Sequence, residues 1–503
     1  MYKVLRVDKD AYITDRVIKT VRAYTSNVGD AGSLDLFKLY GITSSGSNPN
    51  VELSRLLVHF DLQPLRDLVT AGRLDPGHPS FNCTLKLFDV YGGQPTPRNF
   101  TVAVHPLSRS FDEGLGRDVV YYADHDVCNF LTGSRAQGPW LLSGCAEGGG
   151  LPGTVDYVTA STNVAGGASL KSSQLFATGE EDLEVDVTLA VSATLAGLLP
   201  DEGFRIAYDA THENDNRTYF VKRFASHTAY NEAKHPRLIV KYDDSIQDDT
   251  LDLNLDSPST LFLYNYARHA PANLTSGSAL TPITGPDCLI LKLVTEVSGG
   301  TYALIFTGSQ HRSGINFVKG VYSASFTLPS TDPVFNAKLA QSSSIKLTPV
   351  WGSLDGTVTY VTGSAIRAYP ALRGGASLDP QRFVVSLIGL RDTHLRTEDT
   401  VLRIHIFDHT SPMVIVGKVP VEMPGIVVRD VHYQVRDLST NEVEIPFDTV
   451  KNSTRASSDA QGMYFRLDMS NLTPDRLYVI DVLIETGNNQ QVYQAASPAF
   501  RVS

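Results

Sequence analysis

Apolar and polar residues alternate with a period of two along much of this chain, and that spacing predicts strands, whose successive side chains point to opposite faces. The clearest case is LIVKYDD, where Leu238, Val240 and Tyr242 alternate with Ile239, Lys241 and Asp243. His235-Pro236 fixes its start, because the proline ring disfavours helix at the residue before it. The acidic run from Asp243 to Thr250 marks a boundary after it. Upstream, LSRLLVHFDL sets Leu56, Val58, Phe60 and Leu62 against Arg55, Leu57, His59 and Asp61. CTLKLFDVY and FTVAVHPL alternate in the same way, and DLEVDVT and FRIAYDA add further strands. The wide separation of LSRLLVHFDL and LIVKYDD predicts one closed sheet system whose first and last parts meet. Helical spacing is scarce: LQPLRDLVTAGRL, with Gly72 as its stop, and Leu189 to Leu198, which ends before Pro200.

Beyond the acidic boundary, LDSPSTLFLYNYARH, DCLILKLVTEV, TYALIFTGS, GVYSASFTL and IKLTPVWGSLDGTVTYVTGSAI predict short strands with regular turn signals, hence a second sandwich. A third set follows: RFVVSLIGL, TVLRIHIFD, MVIVGKVP, VVRDVHYQVRD, GMYFRLDMSNL and RLYVIDVLIET. Within it, SNLTPDRLYVIDVLI is similar to the penultimate turn and strand of immunoglobulin-like or fibronectin-like modules. A chain of 503 residues at about 150 residues per domain predicts roughly three domains. Their expected bounds are 1–245, 250–372 and 374–503, all of them β.

The series AYITD, SRLLVHFDL, CTLKLFDV, DLEVDVT, RTYFVKRFAS and HPRLIVKYDD, with Asp215-Asn216-Arg217 before the last two, resembles the DNRLRE-type domain. That family is a jelly-roll sandwich similar to carbohydrate-binding modules, found in secreted surface proteins and in structural proteins of tailed bacteriophages. The resemblance spans the first half of the chain. It implies an N-terminal jelly-roll β-sandwich followed by two smaller, immunoglobulin-like sandwiches. It also implies a virion protein of the tail, neck or baseplate, assembled in the host cytoplasm, whose partners are other virion proteins and copies of itself. Capsid decoration is the nearest variant.

Charge and composition narrow the alternatives. The formal net charge is -11 without a Lys/Arg run, so a nucleic-acid groove has no electrostatic footprint. No apolar run reaches the roughly 18 residues a membrane span needs, and MYKVLRVD does not read as a signal peptide. The four cysteines form no C-x-x-C pair, which argues against zinc ribbons and for free thiols. Cys128 and Cys145, which flank one loop, are the pair open to bridging in an oxidising setting.

Candidate chemistry concentrates in a long insertion from Phe111 to Pro152. Its Tyr121, Tyr122, Phe130 and Trp140 offer a platform on which a cell-surface glycan would stack, although aromatics beside a sandwich more often fill core. Asp124 with Asp126, and Asp209 with Asp215, are candidate ligands of a structural calcium ion, the one cofactor expected, against their ordinary use as solvated loop charges. Asp112/Glu113 and Glu180/Glu181 are adjacent in sequence, so on a strand they point to opposite faces and do not form a glycosidase pair. G-x-S-x-G and phosphate-loop motifs are missing from the sequence. The expectation is a non-catalytic structural protein working through protein–protein contacts. Its alternatives are a carbohydrate- or receptor-binding protein of the virion surface, and a glycan-degrading enzyme.

Overall fold

Among the described residues the alternating segments form strands, and the chain is all-β. The computed structural model describes all residues except 43–48, 94, 122, 125, 148–154, 161–166, 269, 372–382, 409–425 and 487–488. Two compact units emerge: residues 3–67 with 81–241, and residues 1–2 and 68–80 with 242–503. One break, between 241 and 242, lies just before the acidic run that begins at Asp243. The assignment of 68–80 to the later unit has no counterpart in the hydrophobic pattern.

The first unit is built on β1 (Tyr2–Arg6), β2 (Lys9–Thr14), β3 (Ser33–Ile42), β4 (Pro49–His59), β5 (Asn82–Leu87), β6 (Phe100–Pro106), β7 (Ser172–Phe176), β8 (Leu183–Asp186), β9 (Phe204–Tyr208), β10 (Tyr219–Ala225) and β11 (Arg237–Lys241). Helices α1 (Gln63–Thr70), α2 (Thr188–Leu195) and α3 (Ala210–Asn214) punctuate it. One sheet runs β1-β11-β5-β8; the other, of seven strands, runs β7-β6-β9-β4-β3-β10 with β2 paired to β4. The first and last strands of this unit do meet, but the partner of β11 at that edge is β1. The segment LSRLLVHFDL, expected to close the system with LIVKYDD, becomes β4 in the opposite sheet. A two-residue period identifies a strand and its faces; it carries no information on its neighbour.

Burial separates the two sheets. β5 alternates buried Cys83, Leu85 and Leu87 with half-exposed residues, the mark of a strand covered on one face. β9 is buried at every position and β6 at nearly every one. The insertion supplies the second cover: Ala11, Ile13 and Leu57 on the outer face of the sheet pack with Leu107, Phe111, Cys128, Trp140, Cys145, Val155 and Tyr157. What reads in sequence as a candidate binding loop is, in its described part, a third layer with a core of its own.

In the second unit, residues 253–369 form an eight-stranded sheet. The strand Gly300–Ser313 pairs through its first half with Leu289–Val297 and through its second with Asn316–Thr327, so one strand passes from one layer to the other. At the crossing, a Cβ on Gly308 would lie 2.9 Å from the Trp351 ring, so glycine admits the indole there. Leu261, Tyr322 and Phe326 thereby meet Leu289, Leu291, Leu293, Leu347 and Trp351 in one core. Residues 383–502 form a four-stranded and a six-stranded sheet. Here the hydroxyl of Tyr478 donates to the Thr473 carbonyl at 2.8 Å and accepts the Thr473 N–H at 2.9 Å. This is an immunoglobulin-like tyrosine corner, at the segment whose sequence resembles such modules. The expected strand MVIVGKVP lies outside the described residues.

Candidate functional site

Because β4, β6 and β9 are covered on both faces, polar residues on their outer face are buried with the apolar ones. Arg55 of β4, Arg205 of β9 and His105 of β6 are each under 5% exposed, and Arg205 stands opposite both Leu57 and His105. Their anion is Glu213, carried inward by α3. Arg55 donates Nε and Nη2 to the two Glu213 oxygens at 2.8 and 2.9 Å, and Nη1 to the Gly144 carbonyl at 2.6 Å. Arg205 donates Nε to the Cys145 carbonyl at 2.7 Å, lies 3.6 Å from Glu213 Oε1 through Nη2, and stacks on Tyr157 at 4.9 Å. Burial alone would raise the Glu213 pKa, but the charge and hydrogen bonds of Arg55, with Arg205 and Lys38 beyond, bring it below the ordinary value. The group ties the insertion to the sheet at two carbonyls.

His105 has no such partner. Its ring lies 4.7 Å from that of Tyr157, and its Nδ1 is buried without a hydrogen bond among the described residues. Burial first, then the Arg205 and Lys171 charges, push its pKa down to about 3. Between an unfolded pKa near 6.5 and that value, the unfolded chain takes up a proton that the folded chain refuses. Stability therefore falls as pH falls through this window. His105→Phe, which keeps the ring contact, is expected to remove about 2–3 kcal/mol of the stability lost between pH 7 and pH 4.5. Urea unfolding at the two pH values checks it, and an unchanged difference sinks it.

A second cluster joins three segments distant in sequence: Asp10 of β2, Glu113 at the start of the insertion, and His227 just past β10. Their ligand atoms all lie within 4.8 Å of one another. His227 Nδ1 is 3.0 Å from Asp10 Oδ1 and 3.3 Å from Glu113 Oε1. The Asp10 N–H donates to Glu113 Oε1 at 2.6 Å, and the His227 N–H donates to Asp10 Oδ2 at 2.7 Å. Asp10 is fully buried, whereas Glu113 and His227 keep a partly exposed edge. Burial raises both carboxyls above their ordinary values against the pull of His227 on Asp10 and of the Asp10 N–H on Glu113. The hydrogen bond to Asp10 raises His227. Asn27 fixes Glu113 from behind, donating Nδ2 to the carbonyls of Glu113 and Cys128 at 2.7 and 2.8 Å and accepting the Gly116 N–H at 2.7 Å. A Cβ on Gly29 would fall 2.0 Å from the Glu113 carbonyl oxygen, so the approach requires glycine.

The residues singled out from sequence fare differently. Asp209 caps α3, accepting the His212 N–H at 2.9 Å. Asp215 accepts Lys38 Nζ at 2.8 Å. The run of acids around α3 is thus divided among a backbone cap, Arg55 and Lys38 instead of converging on an ion. Asp124 and Asp126 are exposed, and the Asp126 N–H donates to Asp124 Oδ1 at 3.1 Å, the pattern of a turn. None of the four belongs to a cluster of three or more potential metal ligands among the described residues. The aromatic platform is likewise corrected: Trp140 is buried, with its indole N–H donated to the Asn129 carbonyl at 2.9 Å. Phe130 is buried beside Tyr24, Tyr121 is exposed, and Tyr122 lies outside the described residues. All four cysteines are free thiols. Sequence reasoning reached Glu113 only as half of a carboxylate pair and missed Asp10 and His227, which no local spacing links.

No family model and no curated protein matches the chain. Among solved structures, similarity extends to a tetra-tandem repeat from the extending region of a large adhesion protein, at 15% identity and a TM-score of 0.15, covering 49% of this chain and 48% of that one. The D00-D0 domain of intimin matches at 11% identity and a TM-score of 0.14, over 50% of this chain and 95% of that one. The FN1–FN3 domains of chicken CNTN1 match at 10% identity and a TM-score of 0.14, over 55% and 82%. The chain thus spans about half the length of the adhesion-protein repeat, and at such TM-scores these likenesses carry no functional weight. The fold stands on the chain's own strands: an all-β protein of β-sandwiches with immunoglobulin-like features.

Proposed function

We propose that the chain is a non-catalytic structural component of a tailed-bacteriophage particle, in the tail, neck or baseplate, working through contacts with other virion proteins and with copies of itself. The observation that carries this reading is an apolar face on the four-stranded sheet of residues 383–468. Val384 and Ile388 are 54% and 57% exposed and Val401 is 43% exposed. Val384 pairs with half-buried Phe407, Ile388 with Arg403, and Val401 with Arg466, which puts these side chains on one face. Apolar side chains held toward water on one face of the sheet, interspersed with Ser386, His405 and the arginines, suit a surface that a partner covers. The buried ionisable groups of the first unit support the non-catalytic part, because Glu213, Asp215 and Asp89 are held by Arg55, Lys38 and Lys222. The resemblance of the first half to phage virion proteins supplies the particle, in which identical contacts repeat by symmetry.

Antibody labelling of purified particles, imaged by electron microscopy, is expected to place the chain at one symmetric position. Val384→Lys with Ile388→Lys is expected to reduce incorporation by about tenfold or more without lowering the melting temperature of the free chain. A chain absent from particles, or a purified chain that turns over a capsular or cell-wall glycan, defeats the reading.

A further inference from the structure

We propose that Asp10, Glu113 and His227 bind a divalent transition-metal ion of the zinc class, with water completing the coordination, and that the ion pins the insertion to the seven-stranded sheet. Zinc–ligand bonds of about 2.0–2.2 Å in a tetrahedron set neighbouring ligand atoms roughly 3.3 Å apart. Of the two edges that meet at His227 Nδ1, the one to Glu113 has that length at 3.3 Å and the one to Asp10, at 3.0 Å, is a few tenths of an ångström short of it. The remaining edge, from Asp10 to Glu113, is no longer than 4.8 Å and closes by a modest turn of the Glu113 side chain, whose Oε2 has no protein partner among the described residues.

The donor set selects the metal. Calcium wants about six to eight oxygens, whereas one imidazole nitrogen with two carboxylates is a borderline set of the kind zinc accepts with an open position for water. Two carboxylates and a neutral imidazole sum to two negative charges, which a divalent cation balances. The ligands are also held in place before any ion arrives. Asn27 fixes the Glu113 backbone, and the Ser226 hydroxyl, donating to the Ala31 carbonyl at 2.5 Å, anchors the residue before His227. With Asp10 on β2, the ion joins three segments that no backbone-to-backbone hydrogen bond links directly among the described residues, and it does so whatever partners the outer surfaces take.

Zinc(II) alone, titrated calorimetrically into the full chain after chelator treatment, is expected to saturate at one ion per chain. Glu113→Gln and His227→Gln, both at partly exposed positions, are each expected to weaken binding by about tenfold or more, with circular dichroism reporting that the β structure persists. Cobalt(II) bound to the unaltered chain is expected to give the visible absorption of a four-coordinate site, and this measurement decides if either variant fails to fold. No saturable uptake, a smaller change in either folded variant, or cobalt binding without visible bands overturns the proposal.

Discussion

Glu213→Gln is expected to cost the first unit about 3–5 kcal/mol, the loss seen when one partner of a buried ion pair is removed and the other charge stays. Glu213 serves two guanidinium groups, those of Arg55 and Arg205, whose side chains are 5% and 1% exposed. Glutamine keeps the shape and one acceptor oxygen but replaces the second oxygen with an N–H pair directed at Arg55. Apart from that one oxygen, the arginines keep only carbonyl partners, Gly144 and Cys145, and the Tyr157 ring. The chain has two tryptophans, one in each unit, so a Trp351→Phe background leaves Trp140, which lies in the insertion core, as a fluorescence reporter of the unit concerned. Urea midpoints in that background measure the loss, and one below about 1 kcal/mol would mean that the pair is solvated. Adding Arg55→Met to the glutamine variant is expected to recover part of the stability, because it removes the stranded charge together with its desolvation cost.

The same group shows where the hydrophobic pattern stops informing. The period of two located β4, β5, β6, β8, β9 and β11, and helical spacing located α1 and α2, because each of those signals is local. Arg55 and Arg205 look in sequence like outward-facing residues of half-buried strands, and so do Lys38 and Lys222, whose side chains are fully buried. Alternation shows that a position lies on the second face of a strand; it does not show what covers that face. The aromatics that mark the insertion in sequence are equally the materials of a compact layer: Gly133 leaves room for the Trp140 ring, 2.9 Å from where its Cβ would be. Asp10, Glu113 and His227 were illegible for a related reason. Their meeting depends on β2 pairing with β4 and on the insertion folding back over that sheet, and both events lie beyond any window of sequence.

Trp140→Ala is expected to destabilise the insertion by about 3–5 kcal/mol, the range for a large buried aromatic truncated to alanine. The indole is 5% exposed and shares its core with Phe111, Val155, Tyr157, Cys128 and Cys145. Its N–H is spent on the Asn129 carbonyl, so truncation removes both the packing and a buried hydrogen bond. The two thiols report the change. Burial holds Cys128 and Cys145 well above the ordinary thiol pKa, Cys145 at about 12, and it is the thiolate that reacts. In the unaltered chain both should resist a thiol reagent as long as the layer stays closed, while half-buried Cys288 of the other unit serves as the internal standard. In Trp140→Ala, labelling of Cys128 and Cys145 is expected to accelerate roughly a hundredfold through local opening, with Cys288 unchanged. A glycan-binding platform predicts the reverse pattern: lost ligand binding, unaltered thiol protection and an unaltered melting curve. The variant therefore separates a tryptophan that holds the insertion against the sheet from one that offers its face to a sugar, and its burial and hydrogen bond favour the first.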